Sequence, residues 1–505
     1  MGTSQLSFTV PRSHVKRFKS ALESHQKLDR CTKIHPLDQD DGASFLVPTT
    51  IAVSCSGESE PVRVHEDGTM REALRSVGLE DYYGVIGYKL SPCESIAQST
   101  PMPRGHANGV FGAALTWLQG LPPDLLHSLG LSVPTLMVAL TKTYTIYEPL
   151  LLLPAHAFQD AAWRRLLDAT SQSDVRGLYT GIARTMNITH MALNAPIPAH
   201  NLPPVNDTAE PGGENVLRSP RITLLYGDFG PMPSSSIVPT GADLDRAFWV
   251  STRQSGIAQC WAPLYTMFSR GNVKEKARLM RLSSVAQSVR EGKDEGTGCA
   301  AVDLYAGVGY FAFSYARAGV DVVLGWELNP WSVDGMKRGA KANKWAAEVR
   351  SEAAVDAVGA LGTTKDERPT FLIFQESNDF ASERIERLRH VLPPIRHVNC
   401  GLLPTSRGSW GTAVAVLDQQ RGGWIHLHEN IAVKEIDERA QEIVGEIRGI
   451  CDRLARGDGP MTDKIEGDGS GEKGGVKLEH VERVKTYAPG VMHCVLDIRI
   501  SPSIH

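Results

Sequence analysis

Cys299-Ala300-Ala301-Val302-Asp303-Leu304-Tyr305-Ala306-Gly307-Val308-Gly309-Tyr310, followed by Val320-Asp321-Val322-Val323-Leu324-Gly325-Trp326-Glu327, decides how this chain is read. An apolar run of strand length enters a glycine turn, an apolar-periodic helical segment follows, and a second apolar run completes the unit. That alternation is a βαβ unit, which predicts a parallel sheet with a right-handed crossover. Glycines in the turn let the backbone pass close beneath a ligand and lead into a helix N-terminus. Glu327 ends the second strand roughly 20 residues beyond the glycines, where a carboxylate can accept both hydroxyls of a ribose.

Together these residues point to an adenosine-bearing ligand. The D-x-x-A-G-x-G turn lacks the third glycine of the dinucleotide fingerprint, whose helix N-terminus is placed on a pyrophosphate. A ligand without phosphate suits the shorter turn, so S-adenosyl-L-methionine is the expected co-substrate and NAD the alternative. Asp303, Gly307, Gly309 and Glu327 are the candidate cofactor residues.

Further strands are expected at Thr370 to Phe374, Ile395 to Leu403, Gly423 to Leu427 and Cys494 to Ile500. Ile436, Ala440, Ile443, Val444, Ile447, Cys451 and Leu454 recur at helical spacing on one face. The predicted fold class is α/β: a doubly wound, Rossmann-like sheet of the class I methyltransferase type in the C-terminal half, with an α+β N-terminal region.

The whole chain has 505 residues, 42 % of them apolar, which allows roughly two to four globular domains. Its formal charge of −4 gives no global attraction to nucleic acid, so RNA binding would have to come from local basic patches. Eight cysteines are scattered without a C-x-x-C pair, which argues against a zinc ribbon or disulfide framework and suits a reducing, cytoplasmic home. No metal is expected. The first residues lack an apolar signal core, and Ile146 to Phe158, interrupted by Pro149 and Pro154, is too short to span a bilayer and reads as core.

Asn201 to Asn215 and Gly457 to Gly475 are polar, glycine-rich stretches that read as linker and insertion. Arg290 to Gly298 reads as a loop at a domain edge. The expected organisation is an N-terminal region 1–200 that docks tRNA, a linker 201–216, a middle segment 217–290, and a catalytic domain 291–505 with a flexible insertion near 457–475.

With Trp326-Glu327-Leu328-Asn329-Pro330, the glycine block resembles the class I methyltransferase-like domain of the tRNA wybutosine-synthesizing protein 2 family. Trp261-Ala262-Pro263-Leu264-Tyr265-Thr266-Met267-Phe268-Ser269-Arg270-Gly271-Asn272-Val273-Lys274-Glu275-Lys276 is similar to the family's W-A-P-R-Y-T-M-F-S-x-G-N-x-x-E-K segment. Gly401-Leu402-Leu403-Pro404-Thr405-Ser406, His426-Leu427-His428-Glu429-Asn430 and Val484 to Pro489 follow in the family's order, and Val10 to Lys16 and Leu225 to Pro231 also resemble fungal-type members. Two positions depart from the pattern. Glu376-Ser377-Asn378 stands where the family has Gly-Asp-Asn, and Leu264 replaces an arginine.

The resemblance implies transfer of the 3-amino-3-carboxypropyl group of S-adenosyl-L-methionine to C-7 of demethylwyosine, the tricyclic base next to the anticodon of phenylalanine tRNA. It implies Ser269, Lys276 and Glu327 as cofactor positions, and Ser377 and Asn378 on the adenine side. It also leaves two alternatives: a guanosine N-1 methyltransferase, which would carry Asn-Leu-Pro in place of Gly401 to Pro404, and a non-catalytic tRNA-binding subunit.

No protein nucleophile is needed, because the base itself attacks; Asp228 and His428 are the candidates for a proton acceptor, against a purely structural role for the histidines. Arg270, Lys274, Arg278 and Pro404 are the expected tRNA contacts on the catalytic half. Arg12, Lys16, Arg17, Lys19, Lys27, Arg30 and Lys33 form a second basic cluster. The tRNA anticodon loop is the expected partner, with no membrane and no obligate protein partner.

Overall fold

The computed structural model describes residues 2–25, 27–29, 34–36, 44–55, 66–92, 109–195, 220–233, 238–268, 270–350, 368–456 and 475–502. The stretches 201–215 and 457–474 lie outside them. The chain forms two compact units, Met1–Ala107 and Asn108–His505. Among the described residues no helix is long and apolar enough to cross a membrane.

In the first unit, β1 (Gly2–Pro11), α1 (Val15–Ser24), β2 (His35–Pro36), β3 (Ser44–Cys55), α2 (Glu66–Arg75) and β4 (Gly87–Pro92) build an antiparallel sheet of order β2-β3-β1-β4. Leu6, Phe8 and Val10 alternate along β1 and bury against Phe18 and Leu22 of α1 and Leu74 of α2, as the two-residue period of a half-covered strand requires. Arg12, Lys16, Arg17, Lys19 and Lys27 are exposed, while Arg30 and Lys33 fall outside the described residues.

The second unit begins with α3 (Val110–Gly120), α4 (Pro123–Ser128), α5 (Val133–Ala139), β5 (Thr145–Tyr147), β6 (Leu150–Pro154), α6 (Ala161–Ala169), α7 (Gln172–Met186), β7 (His190–Ala195) and β8 (Arg221–Tyr226), giving a mixed sheet β5-β6-β7-β8. Leu151, Leu153 and Phe158, from the apolar run that the sequence assigns to a core, are buried beside Trp163. Next come α8 (Gly241–Arg246), the hairpin β9 (Val250–Gln254) and β10 (Ile257–Trp261), α9 (Val273–Leu279) and α10 (Ser283–Asp294).

The expected loop at Arg290 to Gly298 is instead mostly the last turns of α10. Gly292 packs directly on the Gly298 backbone, where a Cβ would collide, and Leu279 and Val285 share a core cluster with Ala301 and Val323 of the sheet. The chain therefore does not part at that point.

The large sheet contains β11 (Ala300–Asp303), α11 (Ala312–Ala318), β12 (Val322–Trp326), α12 (Pro330–Ala342), β13 (Ala347–Arg350), β14 (Phe371–Phe374), α13 (Ala381–Leu388), β15 (Ile395–Cys400), α14 (Trp410–Val416), β16 (Gly423–Ala432), α15 (Ile436–Ala455), β17 (Val476–Ala488) and β18 (Val491–Ile500). Its order is β13-β14-β12-β11-β15-β16-β18-β17. The first six strands are parallel, and β18 runs antiparallel between β16 and β17. The expected parallel βαβ strands are joined at one edge by an antiparallel pair: β17 to β18 is a hairpin, which needs no crossover helix.

Alternation along the strands explains the two layers. Ala300, Val302 and Leu304 share a cluster with α13, α14 and α15, whereas Cys299 and Ala301 join α11 and α12 on the opposite face. Ile436, Ala440, Ile443, Val444 and Ile447 of α15 are buried in the first cluster, following the expected helical stripe.

Arg278 clamps α9 to this sheet. It pairs with both oxygens of Glu275, at 2.7 Å each, and with Asp497 of β18 at 2.6 and 3.1 Å. Burial alone would raise the Asp497 carboxyl, but hydrogen bonds from His426 and Arg278 hold it well below the usual carboxylate range. Arg278→Met leaves the buried Glu275 carboxylate without its partner and Asp497 with the His426 bond alone, so a loss of about 3–5 kcal/mol in urea unfolding is expected; a loss below about 1 kcal/mol would deny the clamp its role.

Candidate cofactor site

Asp303 closes β11 and is fully buried. Its Oδ1 accepts the Tyr305 amide at 3.3 Å and the Asn399 side-chain amide at 3.1 Å, whereas Oδ2 has no partner among the described residues. The chain then turns through Gly307 and Gly309 at φ of 55° and 87°. A Cβ at Gly309 would also lie 2.6 Å from the buried Phe313 ring, so glycine is required there twice over.

Glu327 faces this turn. Its Oε2 accepts the Gly307 amide and its Oε1 the Asn329 amide, each at 2.8 Å. These bonds fix the carboxylate plane at the C-terminal ends of adjacent parallel strands, where open α/β sheets bind ligands. Burial pushes Glu327 up to about 7 and Asp303 up to about 6. Asn329 caps α12 through the Trp331 amide and donates to the Tyr265 carbonyl, which ties the Trp261 to Lys276 segment to the glycine turn.

Lys276 is buried; its ammonium donates to Gln254 and, at 2.9 Å, to Gln259, and lies over the Phe268 and Tyr310 rings at 5.2 and 5.5 Å. Both hydrogen-bond partners are neutral amides, and burial lowers its pKa to about 7. The Tyr310 hydroxyl donates to the Met267 carbonyl. Lys276 thus stands beside the glycine turn on the hairpin side. Ser269 lies outside the described residues, and of Arg270 only the backbone is described.

After β14, Asn378 donates to the Leu304 carbonyl at 2.8 Å, and the Ser377 hydroxyl donates to Asp379 at 2.7 Å. Glu376, the first residue of the departing Glu376-Ser377-Asn378 segment, pairs with Arg384 at 3.2 Å and accepts from Trp326 Nε1 at 3.4 Å. Its charge is already compensated.

The expected RNA and proton-transfer residues are spread out. Lys274 and Pro404 are exposed, while Arg278 is committed to Glu275 and Asp497. Asp228 accepts the Gly230 amide within its own turn at 2.9 Å, and nothing brings it to His428. His428 is buried, bonds to His493 at 3.0 Å and stands 4.8 Å from the Phe311 ring. Two motif segments do meet: Glu429 accepts the Thr405 and Ser406 hydroxyls and the Ser406 amide, and the Asn430 amide donates to the Pro404 carbonyl at 2.8 Å.

Sequence reasoning missed Asn399, which is buried, bonds to Asp303 and leaves its Oδ1 without a partner. The available signal was an asparagine inside an otherwise buried strand. The donor set suits an adenosine carrying a charged amino-acid tail: Glu327 offers a carboxylate for a diol, and the unpartnered oxygens of Asp303 and Asn399 offer acceptors for an ammonium.

The β14-β12-β11-β15-β16 order, the antiparallel strand beside it and the acid ending the second strand define a class I methyltransferase-like fold. Two fungal proteins bear the name of the family that the sequence resembles. The chain is 38 % identical over 301 residues to tRNA wybutosine-synthesizing protein 2 of Schizosaccharomyces pombe, covering 59 % of this chain and 64 % of that protein. It is 30 % identical over 338 residues to the protein of the same name in Saccharomyces cerevisiae, covering 62 % and 60 %. The match therefore spans under two thirds of either fungal relative.

A tRNA wybutosine-synthesizing protein 2 homolog of Bos taurus aligns at 23 % identity over 98 % of this chain and 95 % of its own. No family model matches. Among solved structures, P. horikoshii TYW2 in complex with MeSAdo superposes with a TM-score of 0.43 at 17 % identity, covering 75 % of this chain and 99 % of that chain. That superposition is loose, and the fold assignment rests on the sheet order.

The raised carboxyls have a thermodynamic consequence for the ligand-free protein. Because the folded state holds these protons more tightly than the unfolded chain, their contribution to stability falls as pH rises from about 4 through about 7. Glu327→Gln should flatten the upper part of that slope in denaturant titrations; an unchanged slope would show that Glu327 ionises normally.

Proposed function

We propose that this chain transfers the 3-amino-3-carboxypropyl group of S-adenosyl-L-methionine to C-7 of demethylwyosine beside the anticodon of phenylalanine tRNA. The observation that carries the reading is the Glu327 carboxylate, fixed by Gly307 and Asn329 in a chain 38 % identical to a tRNA wybutosine-synthesizing protein 2. Glu327 takes the ribose hydroxyls, Asp303 and Asn399 take the amino group of the tail, and Lys276, Ser269, Ser377 and Asn378 border the ligand.

When bound, S-adenosylmethionine supplies an electrophilic carbon beside its sulfonium. The chain's own part is placement, since holding reacting atoms in line supplies a large effective molarity. Which carbon is presented to the base then selects the product. The exposed basic residues of α1 and Lys274 contribute phosphate contacts to tRNA. The buried thiols of Cys299, Cys400 and Cys494 suit a reducing cytoplasm.

The test incubates the protein with tRNA from cells blocked at demethylwyosine and with S-adenosylmethionine labelled in either the methyl or the carboxypropyl group. Carboxypropyl label should enter the RNA. Methyl label there would establish the guanosine methyltransferase alternative, and tight tRNA binding with neither label would establish a non-catalytic subunit.

Calorimetry tests the ribose contact. Glu327→Ala should abolish cofactor binding. In the native protein only the ionised carboxylate accepts both hydroxyls, so affinity should fall as pH drops below about 7, approaching tenfold per unit. Affinity that is level between about pH 8 and pH 6 would remove the ribose role.

A further inference from the structure

One row of side chains is left over by the cofactor site. Lys485 of β17, His493 of β18 and Asn430 of β16 are direct cross-strand partners in register, so they stand side by side on one face of the sheet. His428, two residues before Asn430 on β16, joins the same face. The row lies where β16 ends and the β17–β18 hairpin turns, at the same end of the sheet as the glycine turn.

The two histidines are buried and Asn430 and Lys485 half-buried, and the histidines and Asn430 are incompletely bonded. His428 Nδ1 and His493 Nε2 share one hydrogen bond at 3.0 Å, and both rings are about 99 % buried or more. Their outer nitrogens, His428 Nε2 and His493 Nδ1, have no partner among the described residues, and neither does the side-chain amide of Asn430 at either atom. Asn272 Oδ1 is in the same condition. Its segment touches the row at Lys485, whose ammonium lies against Gly271. Phe311, just after the glycine turn, reaches His428 from the cofactor side.

Burial holds both imidazoles neutral, His493 being lowered to about 4 with the Lys485 charge adding to the effect. For a neutral pair the shared bond makes one ring donor and the other acceptor, so one outer nitrogen is always N–H and the other bare. Asn430 adds one donor group and one acceptor. A buried array of this kind is costly unless a ligand edge completes it.

We infer that the Asn430–His493–His428 row is the subsite that reads the edge of the extruded substrate base, with Lys485 at its mouth contacting a flanking phosphate. This rests on the proposed transfer to a tRNA base and names the residues that select it. An uncharged guanine-derived heterocycle, carrying donors and acceptors on one edge, matches a neutral array better than a carboxylate or phosphate ligand would. The subsite is separate from the Glu327 site but borders it through Phe311, as a two-substrate reaction needs.

The experiment compares the native protein with Asn430→Leu, Lys485→Gln and the control Lys477→Gln, which lies at the far end of β17. It measures tRNA binding by filter retention, label transfer, and cofactor binding by calorimetry. Asn430→Leu should lower kcat/KM for tRNA about tenfold, at a cofactor Kd changed by no more than about twofold. Lys485→Gln should weaken tRNA binding and reduce the slope of log affinity against log salt by about 0.7–0.9. Lys477→Gln should do neither.

Unchanged kcat/KM in Asn430→Leu, or an equal fall in its cofactor affinity, would overturn the subsite. If Asn430→Leu fails to fold, the Lys485→Gln salt slope decides, and an unchanged slope overturns it. A native protein that binds tRNA in a manner dependent on Lys485 and Asn430 but transfers no label would remove the proposed activity and keep the subsite.

Discussion

The bond from the Gly307 amide to the Glu327 carboxylate is the contact around which the second unit is arranged. It joins the turn after one parallel strand to the end of its neighbour. It can form only because the turn passes through positive φ at Gly307 and Gly309. The Asn329 amide holds the other carboxylate oxygen, and the Asn329 side chain then reaches Tyr265, so a single acid orients the glycine turn, the start of α12 and the segment before α9.

That arrangement carries an energetic cost. Asp303 and Glu327 are held where water is scarce, and their pKa values rise accordingly. Lys276 shows the same penalty with opposite sign, falling toward 7 between aromatic rings and amides. By contrast, Glu275, Arg278 and Asp497 are buried as a fully paired set. The molecule thus separates charges that hold elements together from charges left for a ligand, and the two kinds differ in whether an opposite charge is paired with them among the described residues.

Much of the fold was legible along the chain. The alternation around Asp303 and Glu327 marked the parallel strands, and the stripe from Ile436 to Ile447 marked a long helix, because both patterns are local consequences of which face is covered. The β17–β18 hairpin was not read as such. Its antiparallel edge depends on pairing across 10 matched positions with β16, which no local period encodes. Arg278 misled for a related reason: an arginine among basic neighbours looks solvent-facing until Asp497, 219 residues away, is placed beside it.

Sequence by itself determined the glycine turn, the acid that faces it and the strand-helix alternation, since each follows from short-range backbone and burial rules. Tertiary structure alone decided which polar residues meet. It set Asn399 against Asp303, took Glu376 out of reach by pairing it with Arg384, and lined up Lys485, His493 and Asn430 across three strands. Those assignments rest on strand order and register, and a one-residue shift in register would turn every such side chain to the opposite face.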